Sequence, residues 1–253
     1  MAKYSVLTFI FDNYEVLREV QEIDEDAEYI CVTDSDTLSS STWTIIRETS
    51  FEGKTPFEKC WNVRYNCFKY CTTDICIRVD GSIQINKSLK PIIDDFEDGE
   101  FDACLMVHPY RNNFINEYNE WIKSRHYSLQ QAKRCISFMD SLGYNLLYKG
   151  MFQLCFSIQR RCDTTNHIDK LIMLFLRSLE DERGIERLDQ TIFSFVINTY
   201  FSNMKIMPIG QDIFEGSLMS WYGHNSWNKV PYIKKDVIAP YMFNKPVALY
   251  HYE

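Results

Sequence analysis

In the first half of the chain, short runs of β-branched and aromatic residues stop repeatedly at a polar residue, and stretches with apolar groups at helical spacing separate them. Residues 4–11 run into Asp12 and Asn13, residues 28–33 stop at Asp34, residues 74–79 at Asp80, and residues 103–107 at His108. Apolar runs of this length suit strands buried on both faces, and their alternation with helical segments calls for crossovers within one sheet. The pattern predicts an α/β fold, a mostly parallel sheet flanked by helices. At 253 residues the chain fits a single domain. Ligands of such sheets bind outside the carboxyl ends of the strands, the edge to which Asp12, Asp34, Asp80 and His108 belong.

Further strands are expected at 44–46, 83–85 and 152–158. Residues 55–72 read as a helix with Phe57, Trp61 and Phe68 as apolar groups and Arg64 and Lys69 as basic ones. Residues 89–96, 171–179 and 190–200 are also helical, and residues 116–142 form one long amphipathic helix or a broken pair ending at Gly143. Residues 208–253, rich in Gly, Pro, Trp and Tyr, are expected to be an irregular tail packed on the domain.

The net charge of −8 argues against a protein that grips nucleic-acid backbones, which demands many Lys and Arg. No apolar run approaches the roughly 18 residues a membrane span needs, so any membrane association is peripheral. The nine cysteines are odd in number and irregular in spacing, and no leader-like segment precedes the first strand. They read as reduced thiols of a cytoplasmic protein. Cys60, Cys67, Cys71 and Cys76 lack the CxxC pairing of a zinc site and suit small core positions.

The segment Ile77-Arg-Val-Asp80-Gly81-Ser82 carries the most chemistry. A carboxylate at a strand end, followed by Gly and a small polar residue, suits Mg2+ or Mn2+ held between protein and phosphate oxygens. It also suits a tight turn in which Asp hydrogen-bonds the backbone. Asp34-Ser35-Asp36 is the one literal DxD and a rival metal site, or a solvated turn.

Tyr29-Ile-Cys-Val-Thr-Asp34, Trp43, Arg64 with Lys69, Val79-Asp80-Gly81-Ser82-Ile83, His108-Pro-Tyr-Arg111 with Glu117, and Arg187-Leu188-Asp189-Gln190 with Phe193 follow one another in order. The series resembles a family of GT-A-like glycosyltransferases that includes bacterial polysaccharide-locus members, over roughly residues 4 to 200. The resemblance implies a GT-A (nucleotide-diphospho-sugar transferase) fold in which Asp80-Gly81-Ser82 stands in the place of the DxD motif. Ser82 replaces the usual second carboxylate or Asn, which leaves a metal requirement open.

On that resemblance, Asp80, Gly81 and Ser82 bind the donor, Asp12 lies near its base or ribose, and Arg64 and Lys69 offset the diphosphate. His224 is a further metal ligand and Lys229 a phosphate contact in a Gly/Trp-rich loop. His108, Arg111 and Gln190 line the sugar or acceptor pocket. Asp189 orients or deprotonates an acceptor hydroxyl, a role needed for direct inversion, although its place before an apolar helix also suits a first-turn carboxylate. Trp221, Tyr222, Trp227 and Tyr232 stack on sugar rings or anchor the tail.

The implied activity is a hexosyltransferase acting from a nucleoside-diphosphate sugar onto a glycan or lipid-linked acceptor. Two rivals stand beside it. One is a non-catalytic nucleotide-sugar-binding or scaffolding module of the same fold. The other is a nucleotidyltransferase, for which Phe11-Asp-Asn-Tyr14 offers no Gly-rich loop.

Overall fold

The computed structural model describes residues 2–123, 128–178, 189–214, 218–222 and 241–252. Strand β1 (Tyr4–Ile10) is buried at all seven positions, as a strand with neighbours on both sides and helices on both faces must be. Its even positions Tyr4 and Val6 join the core on one face, and Leu7 and Phe9 join the core on the other. β2 (Ala27–Thr33) and β3 (Thr44–Arg47) follow on one side of it, and β4 (Ile75–Val79) lies on the other.

With β6 (Ala103–Val107), β7 (Phe152–Arg160) and β8 (Ile206–Ile209) these strands form a seven-stranded sheet of order β3-β2-β1-β4-β7-β6-β8. All neighbours are parallel except β7, which runs antiparallel to β4 and to β6. The mostly parallel α/β sheet read from the strand pattern is therefore present. The chain leaves β1 in one direction toward β2 and β3 and later returns on its opposite side as β4, so the carboxyl ends of β1 and β4 border a crevice where the order reverses.

Helix α1 (Pro56–Arg64) starts with a full capping box between Thr55 and Glu58 and with Pro56 in its first turn. The predicted helix over 55–72 stops short, at Arg64, and a separate 3-10 turn follows at Cys67–Lys69. The buried Arg78 of β4 donates from Nη1 to the Arg64 carbonyl at 3.1 Å, and this bond ties the end of α1 to the sheet. α2 (Lys90–Asp98) covers the opposite face through Ile92, Ile93 and Phe96.

The 116–142 pattern is a broken pair, α3 (Phe114–Lys123) and α4 (Leu129–Ser141). A Ser128–Gln131 capping box starts the second helix, and Gly143 follows it at φ +74. α5 (Asp163–Arg177) and α6 (Asp189–Tyr200) complete the layer over β6 and β7.

The expectation of an irregular tail needs correcting for its described parts. Pro208 lies within β8, where an edge strand tolerates a residue without an amide proton. Tyr250 pairs back onto Ile209, and β9 (Met219–Trp221) pairs antiparallel with β5 (Ile83–Ile85).

Of the nine cysteines, all free, seven are buried as small core groups. No helix among the described residues is long and apolar enough to cross a membrane.

Candidate functional site

A cleft of about 480 Å³ opens at the carboxyl ends of β1 and β4, the position where the strand order reverses. Phe9, Ile10 and Phe11 at the end of β1 and Asp80, Gly81 and Ser82 just after β4 form one wall. The pairing of β6 with β7 shifts register between Leu105 and Met106, and this bulge brings Gln153, Leu154 and Cys155 to the cleft beside the turn after β4. Bulges commonly re-aim side chains next to functional sites. The Asp80 amide donates to the Cys155 carbonyl at 2.9 Å and fixes that turn against β7.

Gly81 is required by proximity. A Cβ at this position would come within 2.8 Å of Ile10 Cγ1 and 3.3 Å of Glu15 Cβ. The next residue, Ser82, is 2% exposed, and its Oγ has no hydrogen-bond partner among the described residues.

The centre of the cleft is an ion-pair triad. Arg64 donates from Nη2 to Asp80 Oδ1 at 2.6 Å and from Nη1 to Asp189 Oδ2 at 3.1 Å. Arg64 is 8% exposed, and its guanidinium carbon lies 5.3 Å from the centre of the Phe9 ring. Burial works against its charge, but the Asp80 and Asp189 carboxylates outweigh that and hold its pKa above the ordinary arginine value. Its Nε is buried and has no hydrogen-bond partner among the described residues.

A second pair lies on the α3 side of the cleft. Arg111 donates from Nη1 to Glu117 Oε2, and Gln190 Nε2 reaches Glu117 Oε1 at 3.4 Å. Glu117 is 3% exposed, and burial raises its pKa despite the Arg111 contact. His108 is buried nearby, its Nδ1 accepting from the Tyr110 amide at 3.1 Å.

The expected site residues Arg64, Asp80, Gly81, Ser82, His108, Arg111, Asp189 and Gln190 thus meet on one cleft. Lys69 does not belong with them. It sits on the 3-10 turn with its side chain 58% exposed and bonds Glu48 Oε2 at 2.7 Å.

Asp12 is also outside the cleft lining. It lies in a left-handed turn, φ +53, and accepts from Lys59 Nζ at 3.0 Å, while Asp34 Oδ2 takes the same ammonium at 2.7 Å. That lysine thus pairs with the first carboxylate of the rival Asp34-Ser35-Asp36 site. His224 and Lys229, with Trp227 and Tyr232, lie outside the described residues.

Trp221 lines the cleft, and Tyr222 is anchored by its hydroxyl on Gln84 and by Arg18 over its ring. Glu15, Glu120, Trp61 and Trp121 also line the cleft and were not singled out from sequence as ligand contacts. Trp61 and Phe57 carried a signal, as the apolar face of the first helix. Nothing local marked the two glutamates. Burial pushes the Cys60 thiol of the lining up to about 12, which removes it as a nucleophile near neutral pH.

Among the described residues, the carboxylates of Glu15, Asp80, Glu117, Glu120 and Asp189 and the guanidiniums of Arg64 and Arg111 line the cleft. The Asp80 carboxylate and the buried Ser82 hydroxyl are oxygen donors of the kind Mg2+ or Mn2+ prefers. Among the described residues no three His, Cys, Asp or Glu are grouped to hold a metal ion, so the described protein atoms make a partial donor set that ligand oxygens would complete. Compared with protein-family models and with curated proteins, the sequence matches none.

Proposed function

We propose that this chain is a glycosyltransferase of GT-A type, moving a hexosyl unit from a nucleoside-diphosphate sugar to a hydroxyl of a glycan or lipid-linked acceptor. The observation that carries the reading is the convergence of Asp80-Gly81-Ser82, Arg64 and Asp189 at the strand-order reversal of a mostly parallel sheet. Nucleotides bind at such reversals because strand ends and the loops after them leave a crevice there. The order of motifs that resembles GT-A-like glycosyltransferases supports the same reading.

In this reaction the acceptor oxygen bonds to the anomeric carbon as the bond from that carbon to the diphosphate oxygen breaks. Arg64 turns toward the diphosphate and offsets the charge that builds on it. Asp189, released from Arg64, accepts the hydroxyl proton where the attack is direct. Arg111, His108 and Gln190 orient the sugars. A Mg2+ or Mn2+ ion on Asp80 and Ser82 would supply charge neutralisation of the leaving diphosphate. The work is assigned to the cytoplasm, with at most peripheral contact to a membrane face.

The same contacts favour a second reading, a nucleotide-sugar-binding module without turnover, since Arg64 already occupies both carboxylates. One experiment addresses both. Melting is followed with UDP, GDP and CDP, each with and without Mn2+, and sugar release from the matching donor is assayed beside it. A ligand that binds only the folded chain raises the midpoint by mass action. The transferase reading expects one diphosphate to stabilise the chain more strongly with Mn2+, the Mn2+-dependent part to vanish in Asp80→Ala, and turnover of the matching sugar donor. Stabilisation without turnover selects the binding module. Selective stabilisation by a triphosphate, or none by any nucleotide, overturns the reading.

A further inference from the structure

We propose that Asp80 and Asp189, with the Ser82 hydroxyl, form one cation site whose resident occupant is the Arg64 guanidinium. A divalent ion then takes this site only as an anionic ligand draws Arg64 away. The inference deepens the transferase reading and rests on it for the identity of that ligand, but it makes Asp189 a metal ligand in place of the base that direct attack would use.

Three observations carry it. The two carboxylates, from the end of β4 and the start of α6, bind different terminal nitrogens of one guanidinium at 2.6 and 3.1 Å, so both converge on one small volume. That volume is largely shut from water, since the Arg64 side chain is 10% exposed and the carboxylate side chains 18% and 21%. Ser82 Oγ, on the same cleft and buried, has no partner among the described residues. The Arg64 guanidinium leaves this hydroxyl unpaired, whereas a hard cation accepts carboxylate and hydroxyl oxygens together.

Competition follows from charge. With Arg64 in place, the carboxylates are already neutralised at short range and a dication meets a buried positive group. A diphosphate reverses this, because guanidinium binds phosphate oxygens in bidentate fashion. The carboxylates left behind then attract the metal. Metal and diphosphate therefore enter cooperatively, and neither is held well alone.

The test reads Mn2+ alone, with no nucleotide, through loss of the paramagnetic resonance signal of the free aquo ion. The full chain is compared with Arg64→Gln, Arg64→Lys and the double variant Arg64→Gln/Asp189→Asn. Removing the guanidinium is expected to tighten Mn2+ binding about tenfold or more, within the usual range of coupling factors, and the double variant to lose that gain. Arg64→Lys, which keeps a positive charge at this position, is expected to gain less in the same direction. It serves as the reading if Arg64→Gln does not fold.

Equal or weaker Mn2+ binding by the folded variants overturns the proposal. So does a gain that survives Asp189→Asn. Because no nucleotide is used, these outcomes are distinct from a failure of the transferase reading, which the diphosphate panel decides separately.

Discussion

Gly81 shows how little room the cleft wall leaves for a side chain. Its substitution by Ala forces Ile10 or the backbone of the turn to move, and overpacking of this kind typically costs about 1–3 kcal/mol. A lowered urea midpoint for Gly81→Ala is the expected result. Beneath the site, Asp169 is buried against Arg78 and Gln159. Burial pushes its carboxyl up to about 6, and Arg78 and Gln159 only partly counter this. An unfolded Asp titrates near pH 4, so the folded chain holds one more proton between about pH 4 and pH 6. The resulting stabilisation, on the order of 3 kcal/mol, is fully present below that window and lost as pH rises through it. Asp169→Asn is expected to flatten this dependence, measured as the difference in urea midpoint between about pH 4 and about pH 7. Of the site residues, Asp80 and Asp189 were legible because each stands at a boundary between an apolar run and a turn or helix. Lys69 was misjudged because a lysine's partner depends on what lies nearby in space, here Glu48 beyond β3.

At the scale of elements, α1 presents Arg64 from its last turn, and the Thr55–Glu58 capping box defines its first. Thr55→Ala is expected to lower the melting midpoint by the equivalent of about 1 kcal/mol. The box, the proline after it and the apolar spacing were readable locally. The helix end was not, since residues up to 72 keep a helical pattern while the stop coincides with Arg78 reaching across from β4. The division of residues 116–142 into α3 and α4 follows a Ser128 capping signal, and Gly143 ends the pair as its left-handed backbone suits. The bulge of β7 had no sequence signature. A run of apolar residues looks the same whether or not its register slips, yet the slip carries Gln153, Leu154 and Cys155 to the cleft.

Across the whole molecule, one seven-stranded sheet links both helical faces, with Phe156 fully buried in β7 between β4 and β6. Phe156→Ala is expected to cost about 3–5 kcal/mol. Far-ultraviolet and tryptophan signals should shift together in one transition, with no dependence on reductant because the nine cysteines are free. Separate transitions would contradict a single cooperative unit. The sequence by itself determined the alternation of buried strands with helices, the polar residues that stop the strands, and the excess of negative charge, because burial periodicity and turn chemistry act over a few neighbouring residues. Only the tertiary structure decided that β4 lies beside β1 and that Arg64 meets Asp189, 125 positions away. Strand order and ion-pair choice depend on which surfaces pack together, and a short-range interaction between distant residues acquires its partner only when the chain has closed around it.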